Sequence, residues 1–224
     1  AYVAAREEGR TIICEKHAPG DDYRLLIIGG KLVAAARREP AHVIGDGVHT
    51  IKELIQITNQ DPRRGEDHAT CLSKIPLDAI SLAVVTEQGY TPQSIPAAGT
   101  RVLIRRNANL STGGTATDIT ETVHPEVTAR AIEAARIIGL DIAGVDIVAT
   151  DISKPMEGQG AVVVEVNAAP GLRMHIEPSG GTPRDVGGAI IDTMFAPGDN
   201  GRIPIIAITG VNGKTTTTRF IAHI

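Results

Sequence analysis

The sequence predicts an α/β protein in which a mainly antiparallel sheet is flanked by helices, followed by the start of a second α/β unit. Apolar runs rich in Val and Ile alternate along the chain with stripes of helical period. Gly29-Gly30 joins two of the apolar runs, as is typical of a β-hairpin. Near the carboxyl end, an apolar run over 203–208 enters a glycine-rich turn and then a helical pattern, which indicates a strand, loop and helix.

Each element has its own local signal. Thr50-x-x-Glu53 has the form of a capping box, and Gly139 is a typical helix stop. The patterns predict strands over residues 11–15, 23–28, 31–36, 101–105, 144–148 and 161–167, and helices beginning at Thr50 and over 76–88, 125–138 and 182–194. Polar loops are predicted over residues 59–66 and 107–117, with Arg63 and Arg64 interpreted as solvated.

The composition restricts the classes of protein. The 224 residues are 42% hydrophobic but only 2% aromatic, so the core must be built from Ala, Val, Ile and Leu. The net charge of −4, without a basic run, argues against a nucleic-acid partner. No apolar run approaches the roughly 18 residues of a membrane span, so we expect no membrane partner. Cys14 and Cys71 lack metal-ligand spacing and predict reduced thiols in a cytoplasmic protein.

A magnesium site is predicted where the Val-rich run 161–164 leads into Glu165 and Asn167. Alternate residues of a strand face the same way, so these two side chains would present their oxygens together. Asp146 would face the same place if its strand is the antiparallel neighbour. Carboxylate and amide oxygens suit Mg²⁺, and clustered carboxylates repel each other unless a cation lies between them. An E-x-N pair also occurs at solvated strand edges and turn caps.

The last segment predicts a phosphate-binding loop. Its glycines let backbone N–H groups approach phosphate oxygens, and the following helix adds a favourable partial charge at its N-terminus. Lys214 would reach the β- and γ-phosphates, and the Thr215 hydroxyl would bind Mg²⁺. G-K-T also occurs by chance in loops, and Ile208 occupies the position of the first Gly in the common pattern. The predicted ATP-binding residues are Gly210, Asn212, Gly213, Lys214, Thr215 and Thr216.

Two family resemblances follow from these motifs. G-x-N-G-K-T-T after a strand resembles the ATP loop of Mur ligases, although Val211 occupies a position that is usually Thr in that family. The first 195 residues resemble ATP-grasp carboxylate–amine ligases, with Asp146, Glu165 and Asn167 as the metal set. That resemblance implies that Glu15 meets the adenine amino group and that Asp22, seven positions later, holds the ribose. A solvated turn is the alternative for both acids.

The loop that contains Asn109, Ser111, Gly113 and Gly114 resembles the substrate loop of peptide-extending ATP-grasp ligases. By this resemblance it binds an acceptor carboxylate, although a flexible surface turn is the alternative. Arg24 would hold that carboxylate or the acyl phosphate, and Arg105 is a second candidate for phosphate charge. Many family members carry an Arg two residues before the first metal Asp, but Gly144 occupies that position here. The histidines His42, His49, His124 and His175 lack metal-ligand spacing and are interpreted as structural.

The combined resemblances imply a domain organisation. Residues 1–195 would be an ATP-grasp domain without its first lobe, residues 196–202 a linker, and residues 203–224 the start of a Mur-type domain. Both ends look cut, so we expect a piece of a longer protein that is inactive alone.

An ATP-grasp module followed by a Mur-type loop resembles ligases that build a polyaspartate backbone carrying arginine on each side chain. The resemblance implies aspartate, arginine and a polymer primer as substrates, ATP and Mg²⁺ as cofactors, and a homo-oligomer. A glutathione-like or peptide-tail-extending ATP-grasp ligase is one alternative, although it predicts no second nucleotide loop. A nucleotide-binding regulatory module without catalysis is the other.

Overall fold

A computed structural model describes residues 6, 9, 11–13, 16–66, 70–195, 198–199, 201–203 and 205–223. The chain divides into two compact units, Ala1–Ile190 and Ile191–Ile224. In chain order the strands are β1 (Asp21–Ile28), β2 (Lys31–Glu39), β3 (His42–Ile44), β4 (Arg64–Gly65), β5 (Leu72–Ser73), β6 (Arg101–Leu103), β7 (Thr115–Asp118), β8 (Ile142–Ala149) and β9 (Val162–Asn167). The helices are α1 (Ile51–Asn59), α2 (Ala79–Glu87), α3 (Pro125–Ile138), α4 (Arg173–Ile176), α5 (Val186–Met194) and α6 (Lys214–Ile221).

Five strands form the main sheet of the first unit, in the order β7-β2-β1-β8-β9. Every neighbouring pair is antiparallel, which confirms the predicted fold class for this part of the chain. The β1–β2 hairpin turns at Gly29 and Gly30, whose φ angles of 56° and 73° suit glycine. The predicted antiparallel pairing of β8 with β9 is also observed, and it places Asp146 directly opposite Glu165.

The two faces of the main sheet differ because strand side chains alternate. One face buries Leu25, Ala35, Val145 and their neighbours against α3, which contributes Val127, Ala131 and Ala135 at helical spacing. The other face buries Leu26, Ile28 and Ala34 against Val186 at one end. At its other end this second face carries charged side chains, and that end is the region of the candidate site.

A second apolar cluster joins α1 to the β3–β6 pair and includes Ile51, Ile55, Val102 and Ile104. The predicted capping box is present at the start of α1. The Thr50 side chain accepts from the Glu53 backbone N–H, and the Glu53 carboxylate accepts from the Thr50 backbone N–H. Helix α3 runs over the predicted residues, and Gly139 ends it with a φ of 82°.

Several predicted boundaries are wrong. Residues 11–13 form no strand, and Cys14 and Glu15 lie outside the described residues. Strand β7 occupies the end of the predicted loop 107–117, because its pairing with β2 overrides the local polarity. Helix α2 begins at Ala79 and α5 at Val186, three or more residues after their predicted starts. No described helix is long and apolar enough to cross a membrane.

In the second unit, α6 follows Gly213, whose φ of 79° places it in the left-handed region. The predicted helix after the glycine-rich turn is therefore present. The predicted strand over 203–208 is not: residues 203 and 205–208 are without strand structure and mostly exposed. A strand is stabilised by hydrogen bonds to a neighbouring strand, and the described part of this unit contains none.

Candidate active site

The charged end of the main sheet brings together the metal set predicted from the sequence. Arg24 on β1 lies opposite Asp146 on β8, which in turn lies opposite Glu165 on β9. Asn167 lies two residues beyond Glu165 and opposite Gly144, so it is on the same face. Side chains from three adjacent strands therefore converge at one position on the sheet.

Asp146 is bound by two guanidinium groups. Arg24 donates from Nε to Oδ1 and from Nη2 to Oδ2, the latter at 2.8 Å. Arg38 on β2 donates from Nη2 to Asp146 Oδ2 at 2.9 Å and from Nε to Asp22 Oδ1 at 2.7 Å. Arg24, Arg38 and Asp146 are each no more than 8% exposed. Burial raises the pKa of Asp22, and the nearby Arg38 partly offsets this.

The other two predicted metal ligands have free oxygens. Glu165 is exposed and makes no ion pair within the described part of the chain. Asn167 donates from its amide nitrogen towards the Gly144 carbonyl at 3.4 Å, and its side-chain oxygen remains available. The described residues contain no cluster of three or more His, Cys, Asp or Glu side chains placed to bind a metal. Two carboxylates and an amide oxygen nevertheless form a donor set that suits Mg²⁺, provided that the guanidiniums release Asp146.

The structure explains why Gly144 stands where a larger residue was expected. A Cβ atom at Gly144 would lie 2.7 Å from Pro170 Cβ and 3.1 Å from Arg24 Cδ. The space above Gly144 is therefore filled by the Arg24 side chain, which crosses from the neighbouring strand. Arg24 thus brings a guanidinium next to Gly144, the residue at which the resemblance to ATP-grasp ligases predicts a cation.

Two cavities meet at Asn109. One, of about 420 Å³, is lined by Asp22, Arg38, Arg101 and Asn109, among others. The other, of about 410 Å³, is lined by Asn109, Ser111, Gly171 and Arg173 together with Leu110 and Met174. The predicted ribose-binding acid and the predicted substrate loop thus lie in one region of the first unit.

The predicted substrate loop is held in place by local and distant contacts. Residues Leu110–Thr112 form a 3₁₀ turn, and Gly113 follows it with a φ of 90°. Arg64 donates from Nη1 to the Ser73 carbonyl at 2.7 Å and to the Gly113 carbonyl at 3.1 Å. The prediction that Arg64 is solvated is wrong, because this side chain is partly buried and ties the loop to β5. Arg63 is paired with Asp61 at the surface, as expected.

Arg105, the second predicted phosphate ligand, is buried and pairs with Asp78. Its two terminal nitrogens donate to the two Asp78 oxygens at 2.8 and 2.5 Å. Asp78 also caps α2, and the hydrogen bond from Arg105 lowers its pKa. This bidentate pair attaches α2 to the segment after β6, so the geometry favours Arg24 over Arg105 for the phosphate.

Sequence reasoning missed Arg38, Arg173 and the burial of His175. Strand alternation could have predicted that Arg38 faces the site, because it lies two residues after Ala36 and four after Ala34, and alternate residues of a strand share a face. Arg173 donates to the Thr70 carbonyl at 2.6 Å while lining the second cavity. Three other histidines have local roles: His42 contacts the Pro40 carbonyl, His49 pairs with Asp46, and His124 caps α3.

In the second unit the carbonyl groups of the predicted phosphate loop bind the side chain of its own lysine. Lys214 Nζ donates to the Gly210 carbonyl at 2.7 Å and to the Val211 carbonyl at 3.2 Å. Thr215 and Thr216 lie in the first turn of α6 and are exposed. Nucleotide binding by this loop stays a prediction.

The chain is similar to known proteins over most of its length. Residues 99–193 match the RimK-like ATP-grasp domain. A crystal structure of a bifunctional glutathione synthetase from Pasteurella multocida matches 80% of the chain with a TM-score of 0.68 and 34% identity, and the match covers 25% of that protein. These matches confirm the predicted resemblance to ATP-grasp ligases.

More narrowly, the chain is similar to cyanophycin synthetase. It is 55% identical to the cyanophycin synthetase of Trichormus variabilis over 224 residues, which are 100% of this chain and 25% of the relative. It is 37% identical to the glutathione biosynthesis bifunctional protein of Clostridium perfringens over 193 residues, 86% of this chain and 25% of that relative. The chain spans about a quarter of the length of these curated relatives. The resemblance predicted from the sequence was to this kind of protein, and the similarity along the whole chain confirms it.

Proposed function

We propose that the chain is the ATP-grasp part of an ATP- and Mg²⁺-dependent ligase that joins a carboxylate to an amine. The observation that carries the proposal is the row Arg24, Asp146 and Glu165 across three adjacent strands. It combines a buried guanidinium with acidic oxygens on one face, which suits a bound metal–phosphate group. Similarity to two kinds of synthetase supports the same reaction class.

In this mechanism the acceptor carboxylate attacks the γ-phosphate of ATP, forming an acyl phosphate and ADP. An amine then attacks the acyl carbon, forming the amide and releasing phosphate. Asp146, Glu165 and Asn167 would hold Mg²⁺, which neutralises phosphate charge when bound. Arg24 orients the acyl phosphate, and the loop 109–114 binds the acceptor carboxylate. The protein contributes mainly through positioning and charge stabilisation.

The other predicted roles remain part of the proposal. Asp22 lines the first cavity, where its carboxylate would bind the ribose hydroxyls. Glu15, the proposed adenine contact, lies outside the described residues. Gly210 to Thr216 would bind a second ATP for a Mur-type reaction. Arg105 stays the second candidate for the phosphate charge, and it would have to leave its ion pair with Asp78 to take that role.

The substitution Glu165→Gln tests the proposed reaction. In the full-length protein we expect it to remove most Mg-ATP-dependent ADP release while leaving the far-ultraviolet circular dichroism spectrum unchanged. Glu157→Gln, an exposed acid in the loop before β9, is the matched control and should retain activity. Activity of Glu165→Gln equal to that of the wild type would refute the metal assignment.

We propose further that the substrates are aspartate, arginine and a cyanophycin primer. Aspartate would extend the backbone at the ATP-grasp site, and arginine would be added to the β-carboxylate at the Mur-type site. The 55% identity to a cyanophycin synthetase over the whole chain supports this choice. The resemblance also implies a homo-oligomer and a cytoplasmic location.

ADP release with primer and with aspartate alone, arginine alone or both distinguishes the candidate substrates. Sustained release only with both amino acids is the expected result. A glutathione-type ligase, favoured by the 37% identity to the Clostridium perfringens protein, would instead respond to a γ-glutamyl dipeptide and glycine. Release with that pair and not with aspartate and arginine would overturn the cyanophycin assignment.

A further inference from the structure

The imidazole of His175 is buried without a hydrogen-bond partner beside the candidate site. His175 is 1% exposed, and neither Nδ1 nor Nε2 has a partner in the described structure. It lies on α4, which packs against β2 and β7. An unpaired buried polar group is destabilising, and native proteins keep few of them. The position of His175 therefore calls for an explanation.

The charged groups that act on this imidazole lie on the main sheet. They are Arg24 on β1, Arg38 on β2 and Asp118 on β7, and Asp118 is already bound by Arg184 and by Thr120. Burial in the first place, and then Arg24, lowers the pKa of His175 to about 4. The ring is therefore neutral at pH 7, with one N–H donor and one nitrogen that can accept a hydrogen bond.

A metal ion on Asp146 would remove hydrogen-bond acceptors from both guanidiniums that bind this residue, but not to the same extent. Arg38 also binds Asp22, so it keeps a carboxylate partner if Asp146 is taken. Both described side-chain hydrogen bonds of Arg24 go to Asp146. Arg24 is only 8% exposed, so water has little access to replace the lost acceptor. Occupation of Asp146 by a cation would thus leave a buried guanidinium short of acceptors.

We propose that His175 is a positioning residue that accepts a hydrogen bond from Arg24 when a divalent cation binds Asp146. This inference rests on the proposed metal site. The neutral imidazole keeps the released guanidinium at the site, next to the transferred phosphate, instead of letting it turn away. It also explains why a histidine with free ring nitrogens lies beside a saturated ion pair. His175 thereby lowers the free energy needed to exchange an arginine for a metal ion at Asp146.

The test is Mn²⁺ affinity in the presence of ADP, measured by electron paramagnetic resonance on the full-length protein. His175→Phe keeps the ring volume and removes the acceptor, and we expect it to weaken Mn²⁺ binding about tenfold. His175→Gln and His175→Asn place an amide oxygen near the positions of Nε2 and Nδ1, and one of them should restore affinity to within about threefold. His49→Phe, the same substitution on a surface loop, is the matched control and should bind Mn²⁺ as the wild type does.

A double-mutant cycle shows whether His175 acts through Arg24. In an Arg24→Met background, His175→Phe should change Mn²⁺ affinity by less than about twofold, because no guanidinium remains to be held. A full tenfold effect in that background would overturn the proposal and leave only a packing role. Wild-type affinity in His175→Phe alone would also overturn it.

A second measurement avoids substitutions altogether. In a crystal structure of the wild-type protein with Mg²⁺ and ADP, we expect the metal on Asp146 and an Arg24 nitrogen within hydrogen-bond distance of the His175 ring. Metal on Asp146 with Arg24 turned away from His175 would refute this inference while leaving the proposed function intact. Failure of the wild type to bind Mn²⁺ at all would refute both.

Discussion

Asp146 and Glu165 belong to the same candidate metal set, yet the structure predicts different effects of their removal on the metal-free protein. Asp146 is 7% exposed and neutralises two buried guanidiniums. Glu165 is exposed and makes no described ion pair. Asp146→Asn should therefore destabilise the fold, whereas Glu165→Gln should leave its stability unchanged.

The magnitude follows from the ion-pair network. Removing one partner of a buried pair costs about 3–5 kcal/mol, because the remaining charge is left without compensation. The amide introduced by Asp146→Asn would retain one acceptor oxygen, and Asp22 would still neutralise Arg38, so we expect about 3 kcal/mol. For a chain of this size that is a decrease of roughly 6–12 °C in Tm. Glu165→Gln should change the free energy of unfolding by less than about 0.5 kcal/mol.

Urea and thermal unfolding with a metal chelator, followed by circular dichroism, provide the assay. Arg24→Met combined with Asp146→Asn is an informative control, since removing both partners should cost less than the sum of the single changes. Equal stability of Asp146→Asn and Glu165→Gln would refute the argument, because it would mean that Asp146 is not a buried counter-ion.

Three further predictions concern stability. Gly113→Ala should cost about 2 kcal/mol, because φ is 90° and the new Cβ would lie 2.7 Å from Ile75 Cγ1. The Cβ atom that Gly139→Ala introduces would have no atom within 4 Å, so this substitution should lower the free energy of unfolding by less in the same thermal unfolding assay. The pKa of His175 is about 4, whereas an unfolded histidine titrates near 6.5, so the unfolded state takes up a proton first as the pH falls. The titration of His175 should therefore lower the free energy of unfolding of the wild type by about 2 kcal/mol when the pH falls from 7.5 to 5. His175→Phe should lack that loss in urea titrations at both pH values, and equal pH dependence would contradict the assignment. Thr50→Ala should cost about 1 kcal/mol by removing the capping box, and unchanged urea unfolding would contradict that role.

Sequence periodicity was sufficient to place the predicted metal ligands on one face of the sheet. The alternation of strand side chains placed Glu165 and Asn167 together, and the run around Asp146 indicated a neighbouring strand. Pairing of β8 with β9 then put Asp146 opposite Glu165, as the prediction required. Local signals also predicted the α1 capping box and the end of α3 at Gly139, because both depend on residues within one or two turns.

Other features could not be predicted locally. Arg64 reaches the carbonyl of Gly113, 49 positions away, and so its apparent surface character was misleading. The predicted loop 107–117 ends in β7 because strand pairing with β2 overrides the polar character of this segment, which by itself predicts a loop. The run 203–208 has the composition of a strand, but strand structure also needs a partner.

The sequence by itself determined which residues can share a face, because backbone geometry imposes a period of two on strands and 3.6 on helices. It therefore identified the acidic set and the glycine-rich turns. Only the tertiary structure decided which charges meet. Arg24 and Asp146 are 122 positions apart, and Arg38 and Asp146 are 108 apart. Their contact depends on β1 lying between β2 and β8, and strand order is a property of the packed sheet that no local pattern contains.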